Sequence, residues 1–155
     1  MTRFEELNKS FINGQWISGD SGASFNITNP YDDSLITRVE LASLQQVKEA
    51  FALAHEAQKS WGQTSADERK AILKRAAQYL ADHRDEIVDV IVRETGGTIL
   101  KANVEHHLTM EFLEAAINMA DEIHQIRKVP ASGEGKVNHI YRLPLGVISS
   151  ISPFN

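Results

Sequence analysis

The 155 residues include no cysteine. That excludes a disulfide framework, a thiolate metal site and a cysteine nucleophile carried on these residues, and it fits a reducing compartment. Long hydrophobic runs are missing as well. Nothing approaches the roughly 20 apolar residues that span a bilayer. The start "MTRFEELNKSF" lacks the charged-then-apolar layout of a signal peptide, so the expectation is a soluble, cytoplasmic protein with no membrane partner. There is no basic block either: 16 Lys and Arg stand against 21 Asp and Glu, giving a net charge of −5 spread along the chain. No electrostatic footprint for nucleic acid results. A small organic ligand or another protein is the expected partner.

What is present is ordinary globular content, 42% hydrophobic and 24% charged, about one domain's worth of chain. Phe11 to Pro30 reads as two short strands around the turn-rich "SGDSGAS", because β-branched and aromatic residues flank Gly and Ser. "SLITRVELA" (34–42) adds a third extended piece. Helical patterning then begins at Ser43, where Gln46 three residues later completes a capping-box signature. Val47, Ala50, Phe51, Ala54, Ala57 and Trp61 follow at helical spacing, and Gly62 ends the run.

The same device recurs at Ser65 and Glu68, opening a second helix with Ile72, Leu73, Ala76, Tyr79 and Leu80 on its inner side. A third helix carries Ile87, Val88, Val90 and Ile91 and stops at "RETGGT", where the glycines suit a left-handed cap. One long pattern from about Thr98 to Ile126 spaces Leu108, Phe112, Ala115, Ala116, Met119 and Ile123 three or four apart. All these stripes are read as core. After "RKVP", the "ASGEG" turn precedes "KVNHIYRL", a strand with Val137, His139, Tyr141 and Leu143 on one face. "GVISSIS" then has the composition of a strand buried on both faces of a parallel sheet.

Two groups invite chemistry and do not sustain it. "EHHLTME" puts His107 and Glu111 at i and i+4, but a third and fourth ligand are missing nearby, so a solvated polar face is the expectation and no metal is assigned. "GGT" at 96–98 follows a helix and carries no G-x-G-x-x-G, so it reads as a helix terminator rather than a phosphate cradle.

Taken in order, "FINGQW" (11–16), "NP" (29–30), Trp61 with Arg69, Leu73, Ala76 and Leu80, "ETGG" (94–97), "KANVE" (101–105) and "RLPLGVISSISPFN" (142–155) resemble the N-terminal third of an NAD(P)-dependent aldehyde dehydrogenase. The bacterial benzaldehyde and semialdehyde types are the branch it fits. The resemblance implies an α/β fold made of an N-terminal β-hairpin, a helical layer and the first strands of a Rossmann-like cofactor domain, with an incomplete sheet. Residues 1–125 would form the hairpin and helical part. Residues 126–144 would start the oligomerisation arm, and 145–155 would be the first core strand of the dinucleotide-binding sheet.

The resemblance also implies roles. Ile151, Ser152, Pro153 and Phe154 would lie against the nicotinamide side of NAD or NADP, in keeping with ligands sitting beyond the carboxyl ends of parallel strands. Asn155 would be the catalytic amide. In the family a Cys thiolate attacks the aldehyde carbon, hydride leaves to the nicotinamide, and a Glu-activated water hydrolyses the thioester. A neutral amide aimed at the developing oxyanion stabilises it without titrating.

The family's Cys, its Glu base and the groups that grip pyrophosphate and ribose correspond to segments beyond Asn155. The 155 residues alone are therefore expected to be inactive and either to self-associate or to leave their last strands disordered, while the complete enzyme would be a homo-oligomer, dimer or tetramer, acting on an aldehyde. Leu108 and Phe112 are candidates for an apolar wall of the aldehyde tunnel, with packing in the core as the favoured reading. A different class stays open beside the enzyme: a non-catalytic helical module that keeps this scaffold to bind a partner.

Overall fold

A computed structural model describes residues 8–123 and 125–152. The first hairpin joins β1 (Ser10–Ile12) to β2 (Gln15–Ile17) in antiparallel register, with Phe11 opposite Trp16. Their rings meet with centroids 5.0 Å apart. The two loop residues, Asn13 at φ 51° and Gly14 at φ 77°, are both left-handed. That is the loop geometry whose twist matches paired strands, and Asn-Gly is its preferred sequence. A second hairpin pairs β3 (Ser24–Thr28) with β4 (Leu35–Glu40), with a bulge between Ile27 and Thr28.

This corrects the expected hairpin about "SGDSGAS". The strands on either side of that stretch, β2 and β3, each pair elsewhere. The stretch instead crosses between hairpins and is fastened to the start of the first helix. Gln46 donates from Nε2 to the Ser18 carbonyl at 3.0 Å, and its Oε1 accepts from the Asp20 amide at 3.1 Å. Ser21 donates its amide to the Leu41 carbonyl at 3.1 Å.

Four helices follow: α1 (Leu44–Trp61), α2 (Ala66–Asp82), α3 (Arg84–Thr95) and α4 (Ile99–Met119), the last running into a 3-10 turn, Ala120–Glu122. Both capping boxes form as the sequence predicts. The hydroxyls of Ser43 and Ser65 accept from the amides of Gln46 and Glu68, whose side chains return to the cap backbone. Gly96 ends α3 at φ 65° and sends its amide to the Val92 carbonyl. A Cβ there would stand 3.0 Å from Pro30 Cγ, so the "NP" and "ETGG" motifs touch. Thr98 caps α4 by accepting from the Lys101 amide.

Packing is concentrated where α4 meets α2 and α3. One face of α4 supplies Ala102, His106 and, just past its end, Ala120, all buried; Val88 of α3 completes the buried set among the described residues. The opposite face carries Val104, Leu108, Phe112 and Met119, all exposed. Helical spacing identified this stripe correctly as apolar, but its large side chains are exposed, Phe112 by 72%. The expectation that Leu108 and Phe112 are core is thereby overturned. The total accessible surface, 11963 Å², exceeds the about 7800 Å² of a compact protein of this mass, and the exposed apolar faces extend beyond α4: Val47, Phe51 and Trp61 of α1 and Ile72 and Tyr79 of α2, also expected in the core, are exposed. No helix among the described residues is long and apolar enough to cross a membrane.

The last hairpin pairs β5 (Arg127–Pro130) with β6 (Val137–Ile140) across the predicted turn. From Tyr141 to Ser152 the described chain is neither helix nor strand. "GVISSIS" therefore does not form the expected strand here, for a physical reason: a strand needs a ladder partner, and the sheets among the described residues are two-stranded antiparallel pairs. The architecture is mixed α/β with open sheets, as the resemblance implied.

Candidate functional site

Of the five residues expected to act on cofactor and substrate, Pro153, Phe154 and Asn155 lie outside the described residues. Ile151 and Ser152 are described, and both are exposed. Ile151 turns 90% of its surface to solvent.

The route to them is better defined. Arg142 donates from Nη1 to the Glu122 carbonyl at 2.9 Å, at the end of the 3-10 turn, and the same nitrogen lies 3.6 Å from the Glu122 carboxylate. Carbonyls at a helix end lack intrahelical partners, and a cation there also meets the negative end of the helix dipole. Two residues on, Pro144 crosses Gly62: a Cβ built on that glycine would stand 3.5 Å from Pro144 Cγ. Gly146 then adopts φ 99° and redirects the chain.

Two hollows flank this crossing. One, of about 570 Å³, is lined by Trp61, Ile72, Leu73, Ala116 and Met119, with Arg69 and Arg142 also on its wall. The other, of about 430 Å³, shares Trp61, Arg69 and Arg142 and is closed by Leu143, Pro144 and Leu145. Arg69 holds the corner between α1 and α2, donating from Nη2 to the Trp61 carbonyl at 2.6 Å and from Nε to the Thr64 carbonyl at 3.4 Å. Sequence reasoning singled out Arg69 without a role. Its place after a capped helix start and eight residues beyond a helix-ending Trp was the available signal.

The neighbouring histidines separate. His106 is 8% exposed, and its Nε2 lies 3.0 Å from the Leu80 carbonyl, so it is an interior residue joining α4 to α2. The expected solvated face fits His107, which stands 3.4 Å from Glu111 at the surface, and not His106. Among the described residues no three His, Cys, Asp or Glu side chains are grouped to hold a metal. The carboxyls held below their ordinary range belong to local turns: Asp32 through the Ser34 hydroxyl and amide, and Glu68 through the Ser65 amide and hydroxyl. The cofactor fit is partial. Ile151 offers an apolar surface suited to one face of a planar ring, whereas "GGT" is occupied as a helix stop, and no glycine-rich phosphate cradle occurs in the sequence.

Hairpins feeding a capped helical layer, followed by an extended run toward a Pro-Phe-Asn, define the class. The chain belongs to the aldehyde dehydrogenase family, which residues 16–155 match. It is similar to the AldY protein of Bacillus subtilis strain 168, with 51% identity over 98% of this chain and 31% of that protein. Vanillin dehydrogenase of Corynebacterium glutamicum is 39% identical over 97% of this chain and 31% of its own length. A crystal structure of a Bacillus subtilis relative superposes with a TM-score of 0.91 at 51% identity, covering 99% of this chain and 34% of that one. The chain thus spans about a third of the length of the relatives it matches.

Proposed function

We propose that this chain serves in the oxidation of an aldehyde to a carboxylic acid with NAD or NADP, contributing the helical layer, one edge of the cofactor site and the oxyanion donor. The observation that carries the reading is the family match running unbroken through Asn155. In this reading the Asn155 amide donates to the oxygen on which negative charge develops, and it does so as a neutral group whose readiness is independent of pH. Ile151, Ser152, Pro153 and Phe154 meet the nicotinamide side, where the apolar members exclude water from the reacting face. The bound cofactor supplies the hydride acceptor.

The nucleophile lies outside these 155 residues, which include no cysteine. We place the β5–β6 hairpin at the start of an arm that joins subunits, and 145–155 in the first strand of the cofactor sheet once neighbouring strands are supplied. Phe112, apolar and 72% exposed, suits a wall that an aldehyde passes. An aromatic aldehyde is the substrate class we favour. The relatives named vanillin dehydrogenase, 39% identical, and benzaldehyde dehydrogenase, 36% identical, support it.

A chimera joining residues 1–155 to the remainder of AldY tests the reading. It should oxidise benzaldehyde with NAD, and Asn155→Ala should retain cofactor binding while kcat falls on the order of 100- to 1000-fold. An Asn155→Ala chimera with undiminished kcat would remove the proposed role, and the 155 residues alone should oxidise nothing.

A further inference from the structure

We infer that Arg142 is a positioning residue for the segment that carries 151–155. The inference rests on the functional reading above for the segment's purpose, and on the local geometry for the clamp itself. Three observations converge on a short stretch. Arg142 is anchored to the end of the 3-10 turn by a charge-assisted hydrogen bond to the Glu122 carbonyl at 2.9 Å, with the Glu122 carboxylate 3.6 Å away. Pro144 lies beside Gly62: a Cβ built on that glycine would be in ordinary contact with Pro144 Cγ at 3.5 Å and crowded only by Gln58, whose carbonyl would stand at 3.1 Å. Gly146 holds φ 99°, a backbone state that L residues rarely adopt, so the chain's exit direction is set there rather than at a side-chain contact.

One anchored side chain, a neighbouring contact and a bend give a lever. Among the described residues, 141–152 has no ladder bond to hold it, so its direction depends on where the lever is pinned. An exposed ion pair alone contributes little. The guanidinium adds a shorter, charge-assisted bond to a helix-end carbonyl that otherwise accepts only the Gln125 amide at 3.3 Å among the described residues. The consequence is specific to the segment: loosening Arg142 should redirect 147–152 without unfolding the helices, because the packing of α4 on α2 and α3 does not pass through Arg142. Arg142→Lys keeps the charge and one donor but loses the planar fork, so it should restore direction in part.

The cysteine-free sequence makes the test direct, since introduced cysteines are unique. Spin labels at Lys74→Cys on α2 and Ser150→Cys in the segment report the lever; labels at Lys74→Cys and Glu114→Cys report the helical layer. In the full 155-residue chain the segment pair should give a narrow distance distribution. Arg142→Ala should make it at least about twofold broader, Arg142→Lys should lie between, and the helix pair should stay unchanged. A segment pair already broad in the parent, no broadening on Arg142→Ala, or equal broadening of the helix pair would each overturn the inference.

In the AldY chimera, Arg142→Ala should lower kcat on the order of 100-fold with a smaller change in KM, the pattern of a misplaced group. An inactive parent chimera would count against the functional reading, while the label distances would still decide the clamp.

Discussion

Arg69 holds its guanidinium carbon 4.5 Å from the centroid of the Trp61 ring and bonds the Trp61 carbonyl through Nη2 at 2.6 Å. One side chain thus ties the last residue of α1 to the first turns of α2 and fixes the corner beneath the segment that starts at Arg142.

Arg69→Ala should cost about 1 to 2 kcal/mol, combining a cation–π contact with a charged hydrogen bond to backbone. Arg69→Lys should recover less than half, because a single ammonium cannot both stack and fork. Urea titration followed by tryptophan fluorescence measures both, and equal stability of the three proteins would contradict the corner's role.

Gly96→Ala should be destabilising by about 1 to 2 kcal/mol from the left-handed backbone alone, with added strain because the new methyl would sit 3.0 Å from Pro30 Cγ. Adding Pro30→Ala should return the steric part and leave the backbone part. A thermal melt of the double variant no better than Gly96→Ala would show that the two motifs do not press on each other.

The adjacent histidines should respond very unequally to substitution. His106→Ala empties a buried site and leaves the Leu80 carbonyl without its partner, a loss of about 2 to 3 kcal/mol. His107→Ala removes only a surface contact to Glu111, worth less than about 0.5 kcal/mol. Chemical denaturation of the two variants side by side decides it.

Acid should loosen the start of α2 and spare that of α1. The Ser65 amide and hydroxyl hold the Glu68 carboxyl below its ordinary value of 4.5. Its contribution is therefore complete above 4.5 and lost as pH falls through the lowered folded value. Gln46 does the same work for α1 without titrating. The Ser65 amide resonance should move with a midpoint below 4.5, the Ser43 amide should not move, and Glu68→Gln should abolish the titration. A Ser65 midpoint at or above 4.5 would contradict the capping geometry.

What was legible in the sequence was what lies within a few residues. Ser43 with Gln46, Ser65 with Glu68, and Gly96 after Thr95 announce helix ends because each completes its hydrogen bonds locally. The β1–β2 hairpin was equally local, and Asn13-Gly14 was its signal; the Gly- and Ser-rich "SGDSGAS" drew the turn to itself, although Gln46 uses that stretch from 26 and 28 residues away. Periodicity found the outer stripe of α4 but could not say whether anything covers it. His106 and His107 differ only by which side of one helix they occupy, and Arg142 meets Glu122 across 20 residues. Of the candidate site, the sequence supplied residue types and order, while the Arg142–Glu122 contact that precedes it is a tertiary arrangement.

The bare outer face of α4 has a calorimetric consequence. Leu108, Phe112 and Met119 already meet water over much of their surface in the folded chain, so unfolding adds less apolar hydration than it would from a covered face. The heat-capacity increment on melting should fall below the roughly 2 kcal/mol/K usual for 155 residues. The stability curve should then be flatter than that of a compact protein of equal length, with stability changing less on cooling and heating alike.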